Sequence, residues 1–309
     1  MDSARQAPVL PRAGFLFLAA ITLFWGLNWP GMKIILAEIP VWWFRSSCLW
    51  FGGLALLSLA ALGGHRCKPR LEEIPPIVLV TLFNVCGWHL CSAYGVSLIP
   101  AGRAAIIAFT MPLWASLFSV WLLRESFSLN KLFGLSLGMA GLLVLIGTDL
   151  IVLKSAPLGS LFMLGAALSW ALGTVLFKRG GWDLPIASCV GWQLLLGAVP
   201  LTTGAMLLEP MPEFSEVSLK AWIALAYLFV FPMTFCQWAY LKVVHLFPAS
   251  IAAIGTLLVP VVGVYSSALL LGEVVGWSEL VSLLLTCGGL LVVLVLPSVR
   301  RKSVEVLGG

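Results

Sequence analysis

Ile99-Pro100-Ala101-Gly102-Arg103-Ala104-Ala105-Ile106 and Phe247-Pro248-Ala249-Ser250-Ile251-Ala252-Ala253-Ile254 are one pattern written twice. The first is followed by Met111-Pro112, Glu125 and Gly141, the second by Val259-Pro260, Glu273 and Gly289. Pro100/Pro248, Pro112/Pro260, Glu125/Glu273 and Gly141/Gly289 are each 148 residues apart. A long internal repeat in an apolar chain is a mark of secondary transporters.

The chain is apolar enough for that reading. Of its 309 residues, 61% are hydrophobic and 10% charged, and the mean hydropathy is +1.05. Soluble domains carry roughly 25% charged residues, so most of this surface must face lipid. The net charge of +5 is spread over short loops and reports membrane orientation, not nucleic-acid binding. The first apolar stretch follows Arg5 and Arg12 as a signal peptide would, but it carries Trp25, Asn28, Trp29 and Pro30 and no small-x-small cleavage site. It reads as a retained span. The seven cysteines have no zinc-like or disulfide-like spacing and read as small apolar filler, with no metal and no cofactor expected.

About 20 apolar residues cross the hydrocarbon as a helix. Ten stretches qualify: 13–35, 41–62, 76–97, 101–123, 132–148, 158–177, 186–208, 219–243, 249–271 and 279–297. With the N-terminus inside, 13 of the 18 Lys and Arg residues fall on the inner side, which places both termini in the cytoplasm. Five spans per repeat is an odd number, so the second repeat must be inverted relative to the first. The expected fold is therefore an all-α membrane protein of ten transmembrane helices in two inverted five-helix repeats. The expected domains are 1–148 and 155–299, with a basic cytoplasmic tail at 300–309. In such folds the substrate sits near the midplane, where the halves meet.

The chain resembles the drug/metabolite transporter superfamily, and within it the EamA-type ten-helix exporters. The resemblance rests on Phe24-Trp25-Gly26-Leu27-Asn28 and Ser169-Trp170-Ala171-Leu172-Gly173 in the first helix of each half. Met111-Pro112 with Leu123-Arg124-Glu125, and Val259-Pro260 with Leu271-Gly272-Glu273, carry it in the fourth helices. Gly138/Gly141 and Gly288/Gly289 mark the fifth. The ordered set covers nearly the whole chain. It implies export or exchange of small metabolites, amino acids among them, and leaves the substrate open. Gly26 and Asn28 become Ala171 and Gly173 in the second half, so the halves should line a cavity unequally.

Trp25, Asn28, Trp29 and Met32 are spaced to share one helix face, as are Trp170, Gly173, Thr174 and Phe177. Trp25 and Trp170 read as cavity lining. Trp29, Trp42 and Trp43 lie near the outer ends and read as an interface belt. Polar groups at mid-membrane face a partner or water, which makes Asn28, Asn84, His89, Gln193 and Gln237 candidates, with Tyr94 and Tyr240 beside them. Arg45, one turn into the second span, could hold a substrate carboxylate, snorkel to the headgroups, or pair with Glu38. Lys33 and Lys242 read as snorkelling. Pro112 and Pro260 should kink their helices, and Glu125 and Glu273 read as helix-end gates or ion pairs.

No Asp or Glu falls in the middle third of a span. The expected mechanism is facilitated diffusion or exchange of small amphipathic metabolites, most often neutral or aromatic amino acids. The alternative is proton-coupled antiport through His89, the one good titratable candidate at depth. The expected setting is the bacterial inner membrane, with lipid and a small molecule as partners and a functional monomer. An intramembrane enzyme needs a nucleophile, base or metal ligands close together, and a channel needs a filter loop or charge ring. The pattern offers neither, so no enzymatic activity is expected.

Overall fold

The computed structural model describes residues 12–124, 129–152, 157–240 and 258–295. Within them the chain is all helix and loop, in ten helices. These are α1 (Arg12–Leu36), α2 (Val41–Leu62), α3 (Leu71–Leu98), α4 (Ala101–Leu122), α5 (Leu129–Val152), α6 (Leu158–Arg179), α7 (Ile186–Leu208), α8 (Leu219–Tyr240), α9 (Val259–Leu271) and α10 (Trp277–Leu290, extended by a π turn over Leu291–Val295). Seven are long and apolar enough to cross a membrane; the apolar described stretches of α5, α9 and α10 are shorter. Glu125, and the second copy of the opening motif from Phe247 to Ile254, lie outside the described residues, as does Lys242.

Prolines set many of the boundaries. Pro40, Pro100, Pro157 and Pro185 each occupy the cap position that opens α2, α4, α6 and α7, where a missing N–H costs no helical bond. Inside α4 the helix breaks at Phe109-Thr110, and Pro112 stands in the first turn of the second piece, Met111–Leu122. Pro260 opens Val259–Leu271 in the same way.

Besides α10, two helices carry a widened turn in mid-span that the sequence pattern does not announce. α3 runs as a π-helix over Thr81–Gly87 and α8 over Phe231–Phe235. Phe83 and Phe231 are 148 residues apart, so the two turns occupy equivalent places in the repeat.

Packing joins the halves throughout. α2 lies along α7, α5 along α10, α3 along α6, α1 along α8 and α9, and α4 against α6. In lipid, helices associate through close backbone approach at small residues. Gly134 and Gly289 show this: a Cβ on Gly134 would stand 2.6 Å from the Gly289 carbonyl oxygen, and one on Gly289 2.5 Å from that of Gly134. The buried core runs from Trp29 and Met32 on α1 through Phe44 and Leu49 on α2 to Ala104 and Ile107 on α4. Leucines and aromatics such as Leu54, Leu143, Trp121 and Leu269 point outward, as a lipid-facing surface requires.

Candidate functional site

The shared face of α1 divides by depth. Trp29 and Met32 are buried, while Trp25 and Asn28 are half-buried. The Trp25 indole donates to the Pro232 carbonyl at 3.4 Å, and its ring lies 5.6 Å from that of Tyr240. Two expected site residues from opposite halves therefore meet. Trp29 departs from the belt expectation. It is 3% exposed and fills the slot left by Gly263 on α9, whose would-be Cβ lies 3.0 Å from the indole. Trp42 is also drawn inward: its indole donates to the Tyr94 hydroxyl at 2.8 Å. The partly buried Trp43 keeps a buried indole N–H without a partner.

Arg45 neither snorkels nor pairs with Glu38. It is 3% exposed, with the guanidinium carbon 4.7 Å from the Phe44 ring centre. Its Nη2 donates to Ser92 Oγ at 2.9 Å and to Met32 Sδ at 3.3 Å. Asn28 Nδ2 also donates to Met32 Sδ, at 3.3 Å. Arg45 Nε is buried with no partner, as is Nδ1 of the buried His89. Ser92 links these two residues, because its hydroxyl also donates to the His89 carbonyl at 3.3 Å. The result is a chain of polar groups from α1, α2 and α3: Asn28, Met32, Arg45, Ser92 and His89. Lys33 does not snorkel. Its ammonium donates to the carbonyls of Val96, Ser97 and Ile99 at 2.7–3.1 Å, closing the C-terminal end of α3, where carbonyls lack helical partners and a cation is favoured.

A second group forms where α3 meets α6. The rings of Trp88 and Trp170 stand 5.0 Å apart. Asn84 packs its backbone onto Gly173, where a Cβ would lie 2.8 Å from the Asn84 nitrogen, and its Oδ1 is buried without a partner. Ser169 donates to the Phe83 carbonyl at 2.8 Å. A π turn lengthens the helical register and frees carbonyls, so Ser169 and Trp25 each satisfy a carbonyl in the π segment of the opposite half. Tyr94 stacks on Phe162 at 5.4 Å. Thr174 is exposed, its hydroxyl bonded to its own helix at the Trp170 carbonyl.

The remaining expected residues stand apart. Gln193 is 2% exposed on α7, its amide on Cys189 Sγ at 3.5 Å, and belongs to the α7 packing. Gln237 is half-buried on α8 and makes no hydrogen bond with another described residue.

At the end carrying the α1–α2, α3–α4, α7–α8 and α9–α10 connections, acids cross from helix to helix. Glu273 accepts the N–H groups of Ala101 and Gly102 at 2.7 and 3.0 Å. Glu209 accepts those of Trp42 and Trp43. Glu38 accepts the backbone N–H and hydroxyl of Ser218, which hold its carboxyl below the ordinary range. Glu279 pairs with Arg103. Pattern reading missed Ser92 and Glu209: serine is common in membrane helices, and Glu209 reads as a loop residue before Pro210.

The sequence profile of the EamA-like transporter family matches residues 12–147 and again 157–295. A Bacillus subtilis transporter of uncharacterised role, YvbV, is 34% identical over 277 residues, 87% of this chain and 88% of that protein. A Salmonella typhimurium protein described as a probable amino-acid metabolite efflux pump is 29% identical over 306 residues, covering 94% of this chain and 97% of its own length. The Escherichia coli inner membrane transporter YedA is 25% identical over 279 residues, 90% of this chain and 89% of its own. A solved crystal structure overlays 94% of this chain and 98% of its own with a TM-score of 0.67 at 20% identity, which speaks to the fold. The chain belongs to the EamA-like transporter family. It is a multi-pass transporter of small metabolites in the bacterial inner membrane and not an enzyme.

Proposed function

We propose that this EamA-family chain exports small amphipathic metabolites, most often neutral or aromatic amino acids, by alternating access around a midplane cavity. The observation that carries the reading is the polar chain from Asn28 to His89, inside an otherwise apolar bundle and flanked by Trp25, Tyr240, Trp88 and Trp170. Polar groups with unmet hydrogen bonds inside a membrane protein are costly and mark substrate paths. Aromatic faces beside them suit a solute with one polar end. The amino-acid choice also leans on the description of the Salmonella relative.

Alternating access needs two halves that rock. The helix pairing supports an inverted two-fold: α2 meets α7 and α5 meets α10, while the α3–α6 contact is mirrored by α8–α1 and the α4–α6 contact by α9–α1. The π turns of α3 and α8 repeat at the same 148-residue spacing. On this reading residues 1–148 and 155–299 are the repeats, both termini are cytoplasmic, and 300–309 is a basic inner tail. The bridging acids then lie at the outer end, so the structure is closed outward. Pro112 and Pro260 shape the bending helices, and Glu125 and Glu273 are gate residues.

Purified protein in liposomes, loaded with unlabelled amino acid, tests this. Saturable counterflow of labelled leucine or phenylalanine without a pH gradient is the expected result. Silence across an amino-acid panel with folded protein overturns the substrate class. A proton-coupled route is the second reading, favoured by the unpartnered Nδ1 of His89. Uphill transport driven by a pH gradient, and lost in His89→Ala, would replace the facilitator with it.

A further inference from the structure

We infer that Arg45 is an anion subsite, and that the transported solute must present a free carboxylate to it. The inference deepens the transport reading and rests on it. Arg45 is a buried cation, and among the described residues no acid pairs with it. Four acids at its end of the bundle are engaged elsewhere: Glu38 on Ser218, Glu209 on the start of α2, Glu273 on the start of α4 and Glu279 on Arg103. Glu213 and Glu216 stay exposed in the α7–α8 loop. Leaving a guanidinium unpaired inside a membrane protein is expensive, and a pairing anion from outside the chain would remove that cost.

The geometry also shows where that anion goes. Two strong donors, Arg45 Nη2 and Asn28 Nδ2, converge on one weak acceptor, Met32 Sδ, each at 3.3 Å. A thioether is a poor partner for either, and methionine is unbranched and readily displaced. A carboxylate oxygen in place of the sulfur would gain charge-assisted bonds from both donors. Arg45 Nε, buried and unpartnered, is left for further anion contact. A single guanidinium matches a monoanion; a phosphate dianion would keep one charge uncompensated. Trp25, one turn from Asn28 on α1, then lies on the side where the rest of an amphipathic solute extends.

The test compares matched solutes. Counterflow of labelled phenylalanine is competed with unlabelled phenylalanine, phenylalaninamide and phenethylamine, in the intact protein and in Arg45→Gln, Arg45→Lys and Met32→Leu. The intact protein should discriminate at least tenfold for the acid over the amide and amine. Arg45→Gln should erase that ratio while keeping its detergent melting temperature, because a buried unpaired charge has been removed. Arg45→Lys should retain part of the ratio. Met32→Leu, which removes the sulfur that competes for both donors, should lower half-saturation by the acid. Equal transport of acid, amide and amine by the intact protein overturns the carboxylate subsite and leaves the exporter standing. Retained acid preference in Arg45→Gln overturns it too, as does a tenfold loss of acid affinity in Met32→Leu. If Arg45→Gln does not fold, the intact-protein ratio and Met32→Leu decide. No counterflow of any of the three overturns both readings.

Discussion

Glu273, in the turn after α9, accepts the backbone N–H of Ala101 at 2.7 Å, 172 residues away along the chain. Its second oxygen takes the N–H of Gly102. Pro100 leaves α4 without a side-chain cap of its own, so the negative charge and both acceptors arrive from the other half. A carboxylate at a helix N-terminus satisfies orphan donors and meets the positive end of the helix dipole. Glu273→Gln keeps the size and removes the charge. It should cost about 0.5–2 kcal/mol, the range for N-terminal capping changes, read as a lower melting temperature in detergent. Glu273→Ala should cost more. A wild-type melting temperature in both variants would show that the contact holds nothing together.

The α5–α10 seam predicts a sharp contrast between two glycines on one helix. Gly134 faces Gly289 with no room for a methyl group, whereas a Cβ at Gly147 meets nothing within 4 Å. Gly134→Ala must push the helices apart, at a cost of about 1–3 kcal/mol for an overpacked site. Gly147→Ala replaces a poor helix former with the best one and should be neutral or mildly stabilising. Thermal unfolding and the monodisperse fraction on size exclusion measure both. Equal behaviour of the two variants would contradict the seam.

These examples show what the chain discloses before it folds. The repeat was legible because Pro100, Pro112 and Gly141 recur at one spacing, and prolines such as Pro40 and Pro185 mark helix starts by covalent geometry alone. Depth was legible too: Arg45, Asn28 and His89 stood out because polarity in a span is rare. Rotation about each helix axis was not. Trp29 turned inward because Gly263 on a helix some 230 residues away leaves a slot for it, and Lys33 turned to α3 because three carbonyls end there. The π turn at Thr81–Gly87 has no proline to announce it. It is matched by Ser169, whose hydroxyl meets the Phe83 carbonyl, and such long-range compensation leaves no local pattern.

Glu38 gives a pH dependence with a definite sign. Two hydrogen bonds from Ser218 lower its folded pKa below the ordinary carboxylate value. A depressed pKa means that the contact stabilises the fold fully above the unfolded value, near 4.3 for Glu. That contribution is lost as pH falls through the lower folded value. Glu38→Gln should therefore melt earlier than the intact protein at pH 7, with the gap closing as pH drops below 4. A gap that stays constant between pH 7 and pH 3 would show that the charge on Glu38 contributes nothing.

Ser169 offers the last test, directed at the π turn. Its hydroxyl supplies the Phe83 carbonyl with a donor from α6, while a Cβ on the neighbouring Gly87 would strike Ser169 Oγ. The serine is therefore both a hydrogen-bond partner and a spacer between α3 and α6. Ser169→Ala removes the donor and leaves the carbonyl dependent on its own helix, a loss of about 0.6 kcal/mol on the scale of interhelical bonds in membranes. That small cost should spare folding. Its effect should appear instead in transport, because Asn84, Trp88 and Trp170 are positioned by the same α3–α6 contact. Counterflow in Ser169→Ala should show a changed half-saturation for aromatic solutes at an unchanged melting temperature. Ser169→Val, which adds bulk against Gly87, should instead lower the melting temperature. If Ser169→Ala transports like the parent while Ser169→Val alone is defective, Ser169 is a spacer and its hydrogen bond to the π turn is incidental to transport.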